Sequence, residues 1–157
     1  MMKISSILLA INILLLVFMW VFIGVNYADL PEIMPSHLVV NGTVDGESEK
    51  HAIWFFPGIA TFLFLLLVGI PRNPNSPMLQ VPSSYRKKES LKFFAYTILL
   101  PILLLLADTV VENILIAQGK LMEMSIAVFV LLALVFTVIG IHIFRMLKES
   151  KSETSKI

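Results

Sequence analysis

A chain of 157 residues that is 57% hydrophobic and only 15% charged, with a mean hydropathy of +0.87, carries more apolar surface than one small soluble core could bury. Its net charge of +1 predicts no general attraction to nucleic acid, and the absence of cysteine excludes disulfides, thiolate metal sites and a cysteine nucleophile. These properties predict an all-α membrane protein, and the elements along the chain give it four transmembrane helices.

Residues 4–25 form a nearly continuous apolar run, interrupted by Ser5, Ser6 and Asn12. At ~1.5 Å per residue such a run crosses a hydrocarbon layer of ~30 Å. Lys3 before it also fits a signal peptide, but the run exceeds the usual apolar core of such peptides and no small-residue cleavage pattern closes it, so a retained anchor is the expectation.

The loop from Asn26 to His51 comes next. Pro31 and Pro35 stiffen the exit from the membrane, and Asn41-Gly42 and Asp45-Gly46 are turn dipeptides flanking Thr43-Val44. An ordered loop or small hairpin is therefore expected rather than a flexible linker. Asn41-Gly42-Thr43 also has the form of a glycosylation acceptor.

The second span is expected over 52–70, opened by Trp54, Phe55 and Phe56 at interface depth and closed by Pro71 and Arg72. The third, over 91–117, is longer than a bilayer needs and must tilt, bend at Pro101 or protrude. The fourth is expected over 124–144, ending at Arg145, and the short turn from Gln118 to Glu123 makes the last two helices antiparallel neighbours. These spans make residues 1–147 one membrane domain. The polar, charged tail over 148–157 is expected to be disordered.

Lysines and arginines decide the orientation. Lys3, Arg72, Arg86, Lys87, Lys88, Lys92, Arg145, Lys148, Lys151 and Lys156 fall on one side of the four spans, and only Lys50 and Lys120 on the other. The positive-inside rule puts both termini in the cytoplasm and the loop after the first span outside, as an even number of spans requires.

The loop carries a recognisable pattern: Asn26, Tyr27, Leu30 and Pro31, then Pro35 and His37, then Gly42 and Asp45, and finally Lys50 before a hydrophobic helix. In these residues the chain resembles a bacterial membrane family, domain of unknown function 1648, and the motif continues to Ile70-Pro71-Arg72, like the proline-containing exit of that family's second helix. The resemblance implies a bacterial plasma membrane and an outward loop, and it supplies no reaction. The same domain begins the SdpI-type immunity and signalling proteins, which protect against a secreted peptide toxin and sequester a repressor. Four helices are too few for the additional membrane region of those proteins, so their activity does not transfer directly.

Three groups of residues invite a chemical reading. His37 lies in sequence near Asp29, Glu32, Asp45, Glu47, Glu49 and His51, a donor set suited to a divalent cation such as zinc. The preferred alternative is that His37 bonds loop carbonyls while the acids are solvated; a pH-sensing histidine is a third reading. Asp108 and Glu112, four residues apart with Asn113 adjacent, share one helix face and are either paired with Lys50 or Lys120 or line a proton or cation path. Arg86, Lys87, Lys88 and Lys92 form a basic cluster that meets anionic lipid or a cytoplasmic partner. His142 is read as an interfacial residue. No phosphate-binding glycine loop, nucleophile elbow or His-Glu-x-x-His pair is present, so no enzyme activity and no cofactor are expected.

The leading expectation is a non-enzymatic sensor or immunity-like protein. Its outer loop over 26–50 meets an extracytoplasmic peptide or ion, and its inner loop over 72–92 faces lipid or a cytoplasmic regulator. The alternatives are a small transporter or accessory subunit using Asp108 and Glu112, and a structural membrane anchor. The oligomeric state stays open.

Overall fold

The computed structural model describes residues 4–38, 44–77 and 79–154, with backbone alone at 35–38, 44, 45, 84, 153 and 154. It contains α1 (Ile4–Asn26), a hairpin of β1 (Ile33–Leu38) and β2 (Val44–Glu49), α2 (Phe55–Gly69), α3 (Lys88–Ala117) and α4 (Ala127–Thr154). One-turn 3-10 segments flank α2 at Lys50–Trp54 and Ile70–Arg72, so the second membrane-length helical run is Lys50–Arg72. Among the described residues, four helical runs are long and apolar enough to span a bilayer, as expected, and the chain is a multi-pass membrane protein.

The central element is α3. It packs against α1, α2 and α4, whereas α4 packs mainly on α3 alone. α1 and α3 run parallel: Ser5 meets Glu89 and Asn12 meets Tyr96 across them, and seven residues further Met19 and Leu103 share one apolar core. A seven-residue spacing returns a helix to nearly the same face, so both helices present a continuous seam. Ala60, Leu99 and Ala107 complete this mid-membrane core. The faces turned away, with Leu14, Val21, Phe62, Leu65, Phe136 and Phe144 exposed, are where lipid replaces protein.

Helix ends differ from expectation where local chemistry intervenes. α3 begins three residues before the predicted Leu91, because Lys87 is extended and its carbonyl accepts the Leu91 N–H at 3.0 Å. It ends in a Schellman motif, in which Gly119 takes φ +69°, its N–H reaches the Ile116 carbonyl (2.9 Å) and that of Lys120 the Leu115 carbonyl (2.8 Å). α4 begins at Ala127 rather than Met124, since the Ser125 hydroxyl accepts the Ala127 N–H at 3.1 Å and caps the first turn. The expected disordered tail is corrected over 148–154: α4 continues to Thr154. No proline or glycine follows Gly140, and the lysines and glutamates there are good helix formers. Residues 155–157 lie outside the described residues.

Candidate functional site

The antiparallel strands pair Ile33 with Glu49, Met34 with Ser48 and Pro35 with Glu47, and the register slips on either side of His37. Pro35 has no N–H to give the ladder, which suits a strand interrupted at that point. The backbone bond from Lys50 N–H to the Glu32 carbonyl, 2.9 Å, closes the open end of the hairpin.

That open end is built into the membrane domain. Leu30 and Met34, 4% and 3% exposed, share a core with Ile23 of α1, Ile53 before α2, and Val110 and Ile114 of α3. Leu30 is extended (ψ 139°), as a residue before proline should be, and this turns the chain from α1 into the hairpin. Beside the core runs an aromatic column. Trp20 and Trp54 lie 5.6 Å apart, Tyr27 and Trp54 5.4 Å, and the Lys50 ammonium stands 5.4 Å from the Tyr27 ring centre. Lys50 also donates to Glu32 at 2.7 Å, and the Trp20 indole donates to Thr61 at 3.1 Å. Asn26 donates to the Phe22 carbonyl at 2.8 Å and accepts from Gln118 at 3.3 Å, tying α1 to the end of α3.

Asn26, Tyr27, Leu30 and Lys50 of the sequence motif are therefore a structural clasp between loop and helices. Pro31 is exposed beside it. Gly42 lies outside the described residues, as do the side chains of Pro35, His37 and Asp45; their backbones place His37 opposite Gly46, next to Asp45, in the hairpin. Among the described residues no three histidine, aspartate or glutamate side chains gather as a cation site. Glu32 is engaged by Lys50, and Glu49 meets His51 at 3.1 Å.

Asp108 and Glu112 do sit on α3 as expected, but their predicted pairing with Lys50 or Lys120 does not form. Lys50 is held by Glu32, and Glu112, 6% exposed, accepts the Ser125 N–H at 3.1 Å. It thus joins α3 to the start of α4. Asn113 donates to the Thr109 carbonyl at 2.8 Å. Asp108 stands apart: its Oδ2 is buried and has no hydrogen-bond partner.

At the opposite, lysine-rich end, Arg86, Lys87 and Lys88 are exposed, and Arg86 also donates to the Leu79 carbonyl at 3.2 Å. Lys92 belongs to a different setting, because it pairs with Glu89 at 2.9 Å, and Glu89 also accepts from Ser5 at 3.2 Å.

Sequence reasoning missed a cleft of about 520 Å³ at this end. Tyr85, Glu89 and Phe93 line one side and His142, Arg145 and Glu149 of α4 the other. His142, near the end of the apolar run as expected, is buried, 5% exposed, so its ring faces protein and not the membrane surface. Its ring stands edge-to-face with those of Phe94 and Phe93, centroids 5.0 and 6.4 Å away, and its Nε2 lies 2.8 Å from the Thr97 hydroxyl. That hydroxyl lies 2.6 Å from the Phe93 carbonyl; with its proton donated there, the matching tautomer of His142 donates Nε2–H to Thr97 and leaves Nδ1 as the acceptor. Nδ1 is buried with no partner. Tyr85 packs edge-on against Phe94, and burial, then the nearby Glu149 charge, raise its hydroxyl above the usual tyrosine value despite Arg145, so it remains a donor at neutral pH. The spacing of His142, Arg145 and Glu149, one helix face over two turns, was the available signal.

Residues 14–61 match a family model described as Domain of unknown function (DUF1648). The match runs from the middle of α1 through the hairpin and into α2, and so contains the whole clasp. No curated protein and no solved structure matches the chain.

Proposed function

We propose that the protein is a non-enzymatic sensor or immunity-like component of a bacterial plasma membrane, with both termini cytoplasmic. In this reading the hairpin meets an extracytoplasmic peptide or ion, and the basic loop over 72–92 faces lipid or a cytoplasmic regulator. One observation carries it: the hairpin base shares its core with α1, the start of α2 and α3. A ligand that draws the hairpin away must therefore repack Val110 and Ile114, and α3 runs on from there to the basic residues at its other end. The charge asymmetry and the family match across the loop support the same reading.

The test compares deletion, wild type and a His37→Ala/Asp45→Ala variant at matched expression in the native bacterium, by peptide-toxin challenge and copurification. Loss of resistance or of a specific partner in both deletion and variant is the expected result. A variant that keeps every phenotype of the wild type sinks the proposal.

The unpartnered Asp108 Oδ2 favours a second reading, a small transporter or accessory subunit in which Asp108 lines a polar path. Flux in proteoliposomes that falls in Asp108→Asn, with the hairpin intact, would select this reading over the first.

A further inference from the structure

The cleft between α3 and α4 has a composition that the hairpin reading does not use. Its lip lies at the boundary between apolar and charged sequence on both helices: Glu89 precedes Phe93 on α3, and Arg145 is the first charged residue after the long apolar run of α4. Phospholipid headgroups occupy that depth. Phe93 and, further round α4, Phe144 are exposed there, so acyl chains have apolar surface beside the opening.

The charges are balanced rather than basic. Arg145 offers a planar guanidinium suited to a phosphate. Glu89 and Glu149 bring carboxylates, Glu89 meeting Lys92 at one oxygen and Ser5 at the other. His142, which lines the cleft, is more than nine-tenths buried, and its Nδ1 is an acceptor lacking a donor. A buried orphan acceptor in a cleft that two carboxylates also line calls for a donor bearing positive charge, and a guanidinium at the same lip calls for an anion close to it. A phosphate joined by a short linker to a primary ammonium meets both needs.

We propose that this cleft binds the headgroup of a membrane aminophospholipid of the phosphatidylethanolamine class. The phosphate lies against Arg145 and the ammonium against Glu149 and Glu89, with one N–H directed at His142 Nδ1. Nδ1 is closed to solvent in the present arrangement. Binding therefore requires a small separation of α4 from α3, the helix on which it mainly rests. Tyr85, as a hydroxyl, supplies a further phosphate donor at the lip.

The test is native mass spectrometry on the full chain in detergent, titrated with phosphatidylethanolamine or phosphatidylcholine of identical acyl chains. Phosphatidylcholine has the same phosphate and charge but no ammonium N–H. Wild type should retain the ethanolamine lipid about tenfold more strongly, the worth of one charge-assisted hydrogen bond. Glu149→Gln and His142→Phe should bring that ratio towards one. Arg145→Gln should weaken retention of both lipids, and Lys148→Gln, an exposed neighbour outside the cleft, should change nothing. Unchanged phosphatidylcholine retention in Glu149→Gln shows that this variant is folded. Equal retention of the two lipids by wild type would overturn the proposal, as would a preference that survives in Glu149→Gln and His142→Phe. Binding of soluble glycerophosphoethanolamine as tight as that of the lipid would overturn the membrane source.

Discussion

The hairpin is held to the helices by apolar burial, and Leu30→Ala is the perturbation that isolates this. Leu30 is 4% exposed and fills the space between Ile23, Ile53, Val110 and Ile114. Truncation to alanine removes the buried methyl groups and leaves a cavity, because the helices around it are pinned elsewhere. Substitutions of this kind cost about 2–4 kcal/mol, which corresponds to roughly 30-fold to several-hundred-fold in an opening equilibrium. The expected effect is local. Hydrogen exchange followed by mass spectrometry in lipid nanodiscs should show faster exchange over residues 32–54, including the Lys50 amide bonded to Glu32, with α3 beyond Leu103 towards the basic end unchanged. Ile33→Ala is the control: Ile33 neighbours the same turn but is 59% exposed, so its truncation should leave exchange as in wild type. Equal acceleration by the two variants would refute the reasoning, since burial would not then be what secures the hairpin. Acceleration spread evenly over all helices would refute it too, by showing that the clasp is inseparable from the bundle.

The Lys50–Glu32 pair, with Glu32 83% exposed on its side chain, should contribute far less, and Glu32→Gln should leave the same exchange pattern nearly unchanged at high salt. Glu112→Leu should lower stability by about 1–3 kcal/mol by stranding the Ser125 N–H, whereas Glu112→Gln, which keeps an acceptor oxygen, should stay near wild type in thermal unfolding. Gly119→Ala should cost about 1 kcal/mol in the same assay, because φ +69° burdens any residue with a Cβ. Introducing cysteine into this cysteine-free chain tests the orientation: Glu47→Cys should react with an impermeant thiol reagent in intact cells, and Asn75→Cys only after lysis. The opposite pattern would invert the assignment.

The four spans could be read from sequence because membrane insertion is a local property. Each window of about 20 residues meets the bilayer on its own, and its apolar content decides the outcome regardless of its neighbours. The ordered loop could be read for a similar reason, since Pro31 and Pro35 restrict their own backbone wherever they occur; the turn expected at Asp45-Gly46 does not form, because both residues lie within β2 and Gly46 pairs with His37 across the hairpin. Helix ends were less legible: the Ser125 cap and the Gly119 motif move α4 by three residues, and the tail from Lys148 proved helical once no breaker followed Gly140.

Which side chains meet across helices was decided by tertiary structure alone. Ser5 and Asn12 looked like simple interruptions of an apolar run, yet their seven-residue spacing matches Glu89 and Tyr96 on a helix 84 positions away. Lys50 had several acidic candidates within reach of sequence reasoning, and the hairpin register chose Glu32. Asp108 and Glu112 share a face of one helix, but only the arrival of Ser125 satisfied one and left an oxygen of the other unpartnered. His142 was read from its position near a helix end, while its burial depends on Phe93, Phe94 and Thr97 of another helix. Hydropathy fixes what enters the membrane because each segment is solvated by lipid separately; partner choice among polar groups there depends on distances between helices, and those exist only after packing.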